Sequence, residues 1–231
     1  YYEQAGILIA RPAGGTSCRL AISAKGGTNA ENHNHNDVGS YAVALGSETM
    51  VGDQGGPNSY PGDYFNGDAP QKYKIKGSFG HPVPVVDGRT QSSGGKAKGV
   101  VLQKEFTNEK DVFSIDYTSA YSTPNLDKLI RTFVYDRQGK GSFTVGDEFT
   151  AKTPIRFETA ITTRADWKIL DDTHLLLATD SEQMIVAIEA SGKVAFTSET
   201  IEVNSPAYTR IGIALKNQSK EGYIRLKMYT K

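Results

Sequence analysis

At 231 residues the chain is long enough for one large domain, or two small ones, with a buried core. Lysine plus arginine and aspartate plus glutamate stand at 26 each, so the formal net charge is zero, which argues against a general polyanion-binding surface and leaves room for a local basic groove. A single cysteine, Cys18, excludes an intramolecular disulfide framework, and no apolar run approaches the ~20 residues of a membrane-spanning helix.

The chain starts at Tyr1-Tyr2-Glu3, without an initiator methionine or the regions of a signal peptide, and passes directly into a strand-like run. That start is expected of a piece of a longer protein, its C-terminal part. Residues 6–10 and 18–23 are predicted strands separated by the Pro12-Ala13-Gly14-Gly15 turn. Residues 40–45 and 48–51 read as a hairpin about Gly46-Ser47. Residues 52–98 are rich in glycine, proline, aspartate and tyrosine; a loop that long points to function, and its aromatics (Tyr60, Tyr64, Phe65, Tyr73, Phe79) to an ordered surface. Further strands are predicted at 99–106, 112–118, 128–135, 142–150, 155–163, 174–178, 184–190 and 223–228. Within them DVFSIDY (111–117) and KLIRTFVY (128–135) alternate polar and apolar residues, as a half-buried sheet face does. No segment sustains a helical period for three turns. The expectation is an all-β protein, a large antiparallel β-sandwich with few or no helices, forming one domain over 1–231, with 140–150 as the place where a subdivision could fall.

Four histidines bear on function. His174, in Asp171-Asp172-Thr173-His174-Leu175, reads as a solvated turn residue. His33, His35 and His81 fall on or beside the glycine-rich loops. His35, Asp53 and His81, each at a turn or strand end, make a possible zinc set with a fourth position open. The competing reading makes Asp53 a turn aspartate before Gln54-Gly55-Gly56, and spacing alone favours it. His33 and His35 share a face if their stretch is extended, and one can then hold metal while the other faces substrate, with Asn32, Asn34 and Asn36 orienting the rings. No Gly-x-Ser-x-Gly is present, Cys18 is placed mid-strand without a histidine nearby, and phosphate-loop and dinucleotide fingerprints are absent. Lys72, Lys74 and Lys76 with Tyr73 are weak grounds for nucleic-acid binding; a strand edge with solvated lysines explains them as well.

The run Asn32-His33-Asn34-His35-Asn36-Asp37-Val38-Gly39-Ser40-Tyr41, preceded by Lys25-Gly26-Gly27, resembles the signature of the heparinase II/III-like polysaccharide lyases. In that family such a run precedes a hairpin, a strand ending in Asp-Gly, a tyrosine-rich loop and a Gly-His-Asn-x-Pro-like element. Here Val51-Gly52-Asp53-Gln54-Gly55, then Tyr60 and Tyr64, then Ser78-Phe79-Gly80-His81-Pro82-Val83-Pro84 follow in the same order. Gln54 stands where proline is frequent and Pro82 where asparagine is, which touches substrate contacts more than ligand positions.

The resemblance implies the C-terminal β-sandwich of a lyase that cleaves a uronic-acid polysaccharide, glycosaminoglycan or alginate-like, by β-elimination. It makes His33 the catalytic histidine of the cleft, Asn32, Tyr60 and Tyr64 substrate contacts, and His35, Asp53 and His81 the ligands of a structural divalent ion of zinc type. It implies an N-terminal α/α toroid as partner, supplying the principal acid/base tyrosine, a bacterial periplasmic or secreted location, and no nucleic-acid or membrane partner. The chain alone is then expected to fold and bind metal with little or no lyase activity. The alternatives are a non-catalytic carbohydrate-binding or structural sandwich and a zinc hydrolase using metal-bound water.

Overall fold

The computed structural model describes residues 1–52, 56–202 and 206–231. The strands of the first half are β1 Ile7–Ala10, β2 Leu20–Lys25, β3 Thr28–Asn29, β4 Tyr41–Leu45, β5 Glu48–Val51, β6 Val85–Val86, β7 Gly94–Lys98, β8 Val100–Phe106 and β9 Lys110–Asp116. Those of the second half are β10 Leu126–Asp136, β11 Ser142–Ile155, β12 Phe157–Thr163, β13 Asp166–Asp171, β14 His174–Ala178, β15 Gln183–Ala190, β16 Val194–Ile201, β17 Tyr208–Leu215 and β18 Ser219–Thr230. Among the described residues, helix is confined to one turn at Ala69–Lys72 and two 3-10 turns, Ser78–Gly80 and Thr118–Ala120. No helix among the described residues is long and apolar enough to cross a membrane.

The strands make a two-layer antiparallel sandwich. One layer is an eight-stranded sheet in the order β13-β14-β15-β18-β11-β10-β9-β8. The other combines two four-stranded sheets, β1-β2-β4-β5 and β16-β17-β12-β6. They meet edge to edge: Gly52 N–H donates to the Thr162 carbonyl at 3.0 Å, the Thr162 hydroxyl returns a bond to Gly52 O, and the Thr163 hydroxyl donates to Met50 O at 2.6 Å. Across the sandwich, Tyr41 of β4 packs on Phe133 and Phe143, and Phe149 of β11 stacks on Phe157 of β12 at 4.6 Å between ring centroids.

The period-two pattern of the sequence is the physical reason for this arrangement. Along β10, Leu129, Arg131, Phe133 and Tyr135 all point inward and are buried, while their neighbours face outward. The strands predicted at 128–135, 142–150 and 223–228 extend to Leu126–Asp136, Ser142–Ile155 and Ser219–Thr230. β3, β6, β7, β13, β16 and β17 are strands that the sequence pattern does not mark, β6 and β7 falling within the long loop expected at 52–98. DWKILD and VAFTSETI are exposed or mixed in burial and lack clean alternation, and YTRIGIAL is interrupted by Arg210 and Gly212. Cys18 lies two residues before β2 rather than inside a strand, buried with its Sγ 3.5 Å from the Tyr135 hydroxyl.

The inward place of Arg131 is the exception in an otherwise apolar row. Its guanidinium is fully buried and grips Asp147 of β11 in two parallel bonds, Nε to Oδ1 and Nη2 to Oδ2, both 2.7 Å. Asp147 also accepts from the Tyr117 hydroxyl and the Thr159 hydroxyl, each at 2.7 Å. Burial alone would lower the Arg131 pKa, but the Asp147 charge, followed by Tyr117, outweighs it and keeps the guanidinium protonated. The remaining donors leave the pair for the loops: Nη1 donates to Gly39 O at 2.6 Å and Pro82 O at 2.8 Å. Gly39 is required there, because its φ of 87° is left-handed and a Cβ would stand 3.2 Å from the Tyr117 ring.

Removing one partner of such a pair strands the other charge in the core. Arg131→Met is expected to lower unfolding stability by about 3–5 kcal/mol in urea titration. A loss below about 1 kcal/mol, the scale of an exposed ion pair, would contradict the role given to this residue.

Candidate functional site

The polar run 31–37 joins β3 to β4 and is a turn, not an extended segment. Asn34 N–H closes it onto Glu31 O at 3.2 Å, and His33 takes a left-handed φ of 56°. Among the described residues only Asp87 shares that trait outside glycine. A left-handed non-glycine residue is uncommon and costs backbone energy unless its surroundings hold it. Its consequence is geometric: the two histidines separate instead of sharing a face. His33 is exposed and its ring lies 4.9 Å from that of Phe65, while His35 is half-buried and faces the 73–81 segment.

The half of the run that follows His35 is pinned. Asn36 N–H donates to Lys76 O at 2.9 Å, and its amide nitrogen reaches Gln91 O at 3.2 Å and the Ser93 hydroxyl at 3.0 Å. Asp37 N–H donates to Asn29 Oδ1 at 3.0 Å, and Gln91 exchanges side-chain bonds with both backbone groups of Val38, at 3.1 and 2.7 Å. The Lys25 ammonium, at the end of β2, pairs with Asp37 and comes within 3.4 Å of Asn34 Oδ1. By contrast Glu31, Asn32 and His33 are exposed. A held half and an open half meet at His35.

His81 arrives from the other side. The helical turn Ala69–Lys72 leads into the 3-10 turn Ser78–Gly80, where Gly80 is packed so closely that a Cβ would stand 2.3 Å from Lys74 O. The Tyr208 hydroxyl donates to Gly80 O at 2.8 Å and fixes the turn against β17. His81, 1% exposed, then places Nε2 3.2 Å from His35 Nδ1 and 3.0 Å from Ile75 O. Since a carbonyl only accepts, Nε2 of neutral His81 carries the hydrogen shared by Ile75 O and His35 Nδ1. His35 then carries its own hydrogen on Nε2 and donates it to the Tyr64 hydroxyl oxygen, 3.1 Å away. Burial, then the nearby Tyr60, pushes the Tyr64 hydroxyl up to about 12, so at neutral pH it stays protonated.

Around these groups opens a groove of about 590 Å³ lined by Lys25, Asn32, His33, His35, Tyr60 and Phe65, with Tyr64 as its floor. Thus Asn32, His33, His35, Tyr60 and Tyr64 share one groove, and His81 touches it through His35. Asp53 lies outside the described residues. Among the described residues no three His, Cys, Asp or Glu side chains gather as a metal would require. His174 stands apart at the start of β14, its Nδ1 3.0 Å from Asp171 Oδ1. A hollow of about 710 Å³ on the outer face of the large sheet has none of these residues; its Glu148 and Arg225 are paired to each other.

The lysines depart from the expectation of a solvated strand edge. Lys72 and Lys74 are exposed and paired with Asp63 and Glu199, but Lys76 is only 6% exposed. Its ammonium bonds Tyr64 O and lies 4.8 and 4.9 Å from the Tyr64 and Phe65 ring centroids, and burial lowers its pKa. Sequence reading also assigns no role to Arg131, Gln91, Lys25 or Phe65. Phe65 carries a signal there as a large aromatic beside Tyr64 in the glycine-rich loop, and Lys25 as the first residue of the Lys25-Gly26-Gly27 stretch that precedes the motif.

No protein-family model matches the sequence, and no match is found among curated proteins. Solved structures do match. A heparinase III superposes with a TM-score of 0.75 over 98% of this chain at 18% identity. A heparan sulfate lyase HepC mutant from Pedobacter heparinus gives 0.77 over 99% at 15% identity, and the heparinase III that is the BT4657 gene product gives 0.75 over 100% at 13%. The chain spans about 36% of the length of each. At such identities the agreement establishes a shared fold.

Tyr64→Phe tests the hydrogen-bond chain, since it keeps the ring and deletes the acceptor of His35. The expected cost is about 1 kcal/mol of stability. The nitrogen-15 shifts of the His35 ring should move while those of His33 stay; equal movement of both rings, or of neither, contradicts the assigned chain.

Proposed function

We propose that this chain is the C-terminal β-sandwich of a heparinase II/III-like polysaccharide lyase, and that it forms one wall of a cleft cutting a uronic-acid polysaccharide by β-elimination. The observation that carries the reading is the left-handed turn at His33, which leaves one histidine of the motif exposed in the groove and the other half-buried against His81. The fold shared with heparinase III and HepC supports it.

In β-elimination a base removes the C5 proton beside the uronate carboxylate. The C–H electrons become the C4–C5 double bond, the C4–O bond breaks, and the leaving oxygen takes a proton. The carboxylate must be neutralised for the C5 proton to become acidic. His33, exposed in the groove with an imidazole whose ring nitrogens can accept or donate a proton, is the group assigned to proton transfer. Asn32 and Tyr60, both exposed beside it, are assigned to sugar hydroxyl and carboxylate contacts. The Tyr64 hydroxyl accepts from His35 and the residue is 1% exposed, so its assigned part is to hold His35 and to back the Tyr60 and Phe65 rings rather than to touch the sugar. The further acid/base tyrosine belongs to an α/α toroid elsewhere in the longer protein. A polymeric substrate of this kind places the enzyme in the periplasm or outside the cell.

The same reading gives His35, Asp53 and His81 a divalent ion of zinc type. Two nitrogens on one tetrahedral zinc stand ~3.3 Å apart. His35 Nδ1 and His81 Nε2 are 3.2 Å apart, so these two residues fit such an ion. His81 must then move its proton from Nε2, while the His35 bond to Tyr64 is kept as the orienting contact of a ligand. Bound, the ion supplies a cross-link between the 31–37 turn and the 73–81 segment and takes no part in proton transfer.

Three outcomes follow. In the complete enzyme, His33→Ala should lower kcat by about 10²–10⁴-fold with KM little changed; a carbohydrate-binding module would lose affinity and have no turnover to lose. Metal stripping should act through the melting temperature, and His35→Ala should abolish the metal-dependent part of that shift. Immediate loss of catalysis on chelation at a temperature where the fold persists would favour a hydrolase using metal-bound water. The 231-residue chain alone should yield no unsaturated product from heparan sulfate, chondroitin or alginate, and robust turnover would contradict the proposed division of labour.

A further inference from the structure

Phe65 and Tyr60 stand out in the groove because they are large aromatics left in water beside others that are not. Tyr60 is 55% exposed and Phe65 51%, whereas Tyr64, between them in sequence, is 1% exposed. The loop can therefore bury an aromatic ring and turns these two outward. Nor are they loose. The Phe65 ring lies 5.1 Å from Tyr60, 5.4 Å from Tyr64 and 4.9 Å from His33, and the Lys76 ammonium stands 4.9 Å from its centroid. Rings held this way lose little rotamer freedom when a ligand covers them.

We propose that Phe65, flanked by Tyr60, is a stacking subsite for a pyranose ring of an acidic oligosaccharide, set directly beside His33. A pyranose has an apolar face of C–H groups and a rim of hydroxyls. The face suits an exposed aromatic ring through dispersion and the ring quadrupole. The rim needs hydrogen-bonding partners at the edge of that ring, and Asn32, His33 and Asn34 line the same groove. Charge selects the class of sugar. A bare aromatic face repels an anion, but the Lys76 ammonium lies against both Phe65 and Tyr64 and offsets that negative face. Lys25 adds a second cation, partly balanced by Asp37. Glu31, at the exposed end of the turn, is the opposing charge and belongs to the rim.

This inference rests on the lyase reading for the identity of the polymer, but it concerns a residue to which that reading gives no task. Its test is a titration of the 231-residue chain with an unsulfated tetrasaccharide of alternating uronate and hexosamine, read by the aromatic and imidazole resonances, with cellotetraose as the neutral control. Phe65, Tyr60 and His33 resonances should move together, and more strongly than with cellotetraose. Phe65→Ala should weaken binding by about tenfold, a stacking contact's worth, and Phe65→Trp should restore it. The exposure of Phe65 makes both variants compatible with the fold, which their amide spectra check. If Phe65→Ala binds within about twofold of the parent while His33 still shifts, the subsite is wrong and the lyase reading stands. If no groove resonance moves, the subsite is overturned, and the lyase reading is decided separately by the His33→Ala assay of the complete enzyme. Equal binding of cellotetraose overturns the preference for an acidic sugar.

Discussion

Arg131 brings five N–H donors into a core with no access to solvent, and each must find an acceptor there. Asp147 takes two, Thr159 one, and the carbonyls of Gly39 and Pro82 the last two. The first three tie β10, β11 and β12 together across the sandwich. The other two reach the end of the histidine turn and the residue that follows His81. One guanidinium therefore couples the packing of the two layers to the spacing of two loops distant in sequence. It supports the contact between His35 and His81 alongside the direct bond of Asn36 N–H to Lys76 O and the Tyr208 bond to Gly80 O.

From that strut outward, order decreases in a useful direction. Asn36, Asp37 and Val38 are held by Gln91, Asn29, Lys25 and Lys76 O, so the base of the turn is rigid. Asn32 and His33 lie beyond the last of these anchors and face open space. The proton transfer proposed for His33 needs both conditions, a fixed origin and access to substrate. The left-handed backbone at His33 is what turns the side chain from the fixed region to the open one. Tyr64 joins the two regions, with its hydroxyl on His35 and its ring packed on Tyr60 and Phe65.

Much of the sandwich was legible because alternation in strands such as 111–117 and 128–135 is a direct record of one buried face. Among the longer strands that escaped, those at 166–171, 194–201 and 208–215 have mixed burial or a pattern broken by Arg210 and Gly212, while 94–98 is glycine- and lysine-rich and reads as loop. The motif histidines were legible as types in order, but their geometry was not, since nothing local predicts a positive φ at a histidine. Arg131 was hidden for a related reason. In KLIRTFVY an arginine can be fitted to either face, and only the partner at Asp147, 16 positions away, decides that it points inward. Lys76 misled in the same way: alternation with Lys72 and Lys74 suggested solvent, whereas the Tyr64 carbonyl and two aromatic faces draw it inside.

The proposed function has the groove beside His33 serve elimination rather than hydrolysis. The two reactions differ in what becomes of water: hydrolysis places a solvent oxygen in the product, and elimination places none. Digestion of a uronate polysaccharide by the complete protein in heavy-oxygen water, followed by mass spectrometry of the fragments, reads that difference directly. The account predicts fragments with a new unsaturated end and no heavy oxygen incorporated at the cleaved bond. Saturated fragments carrying the label would contradict it.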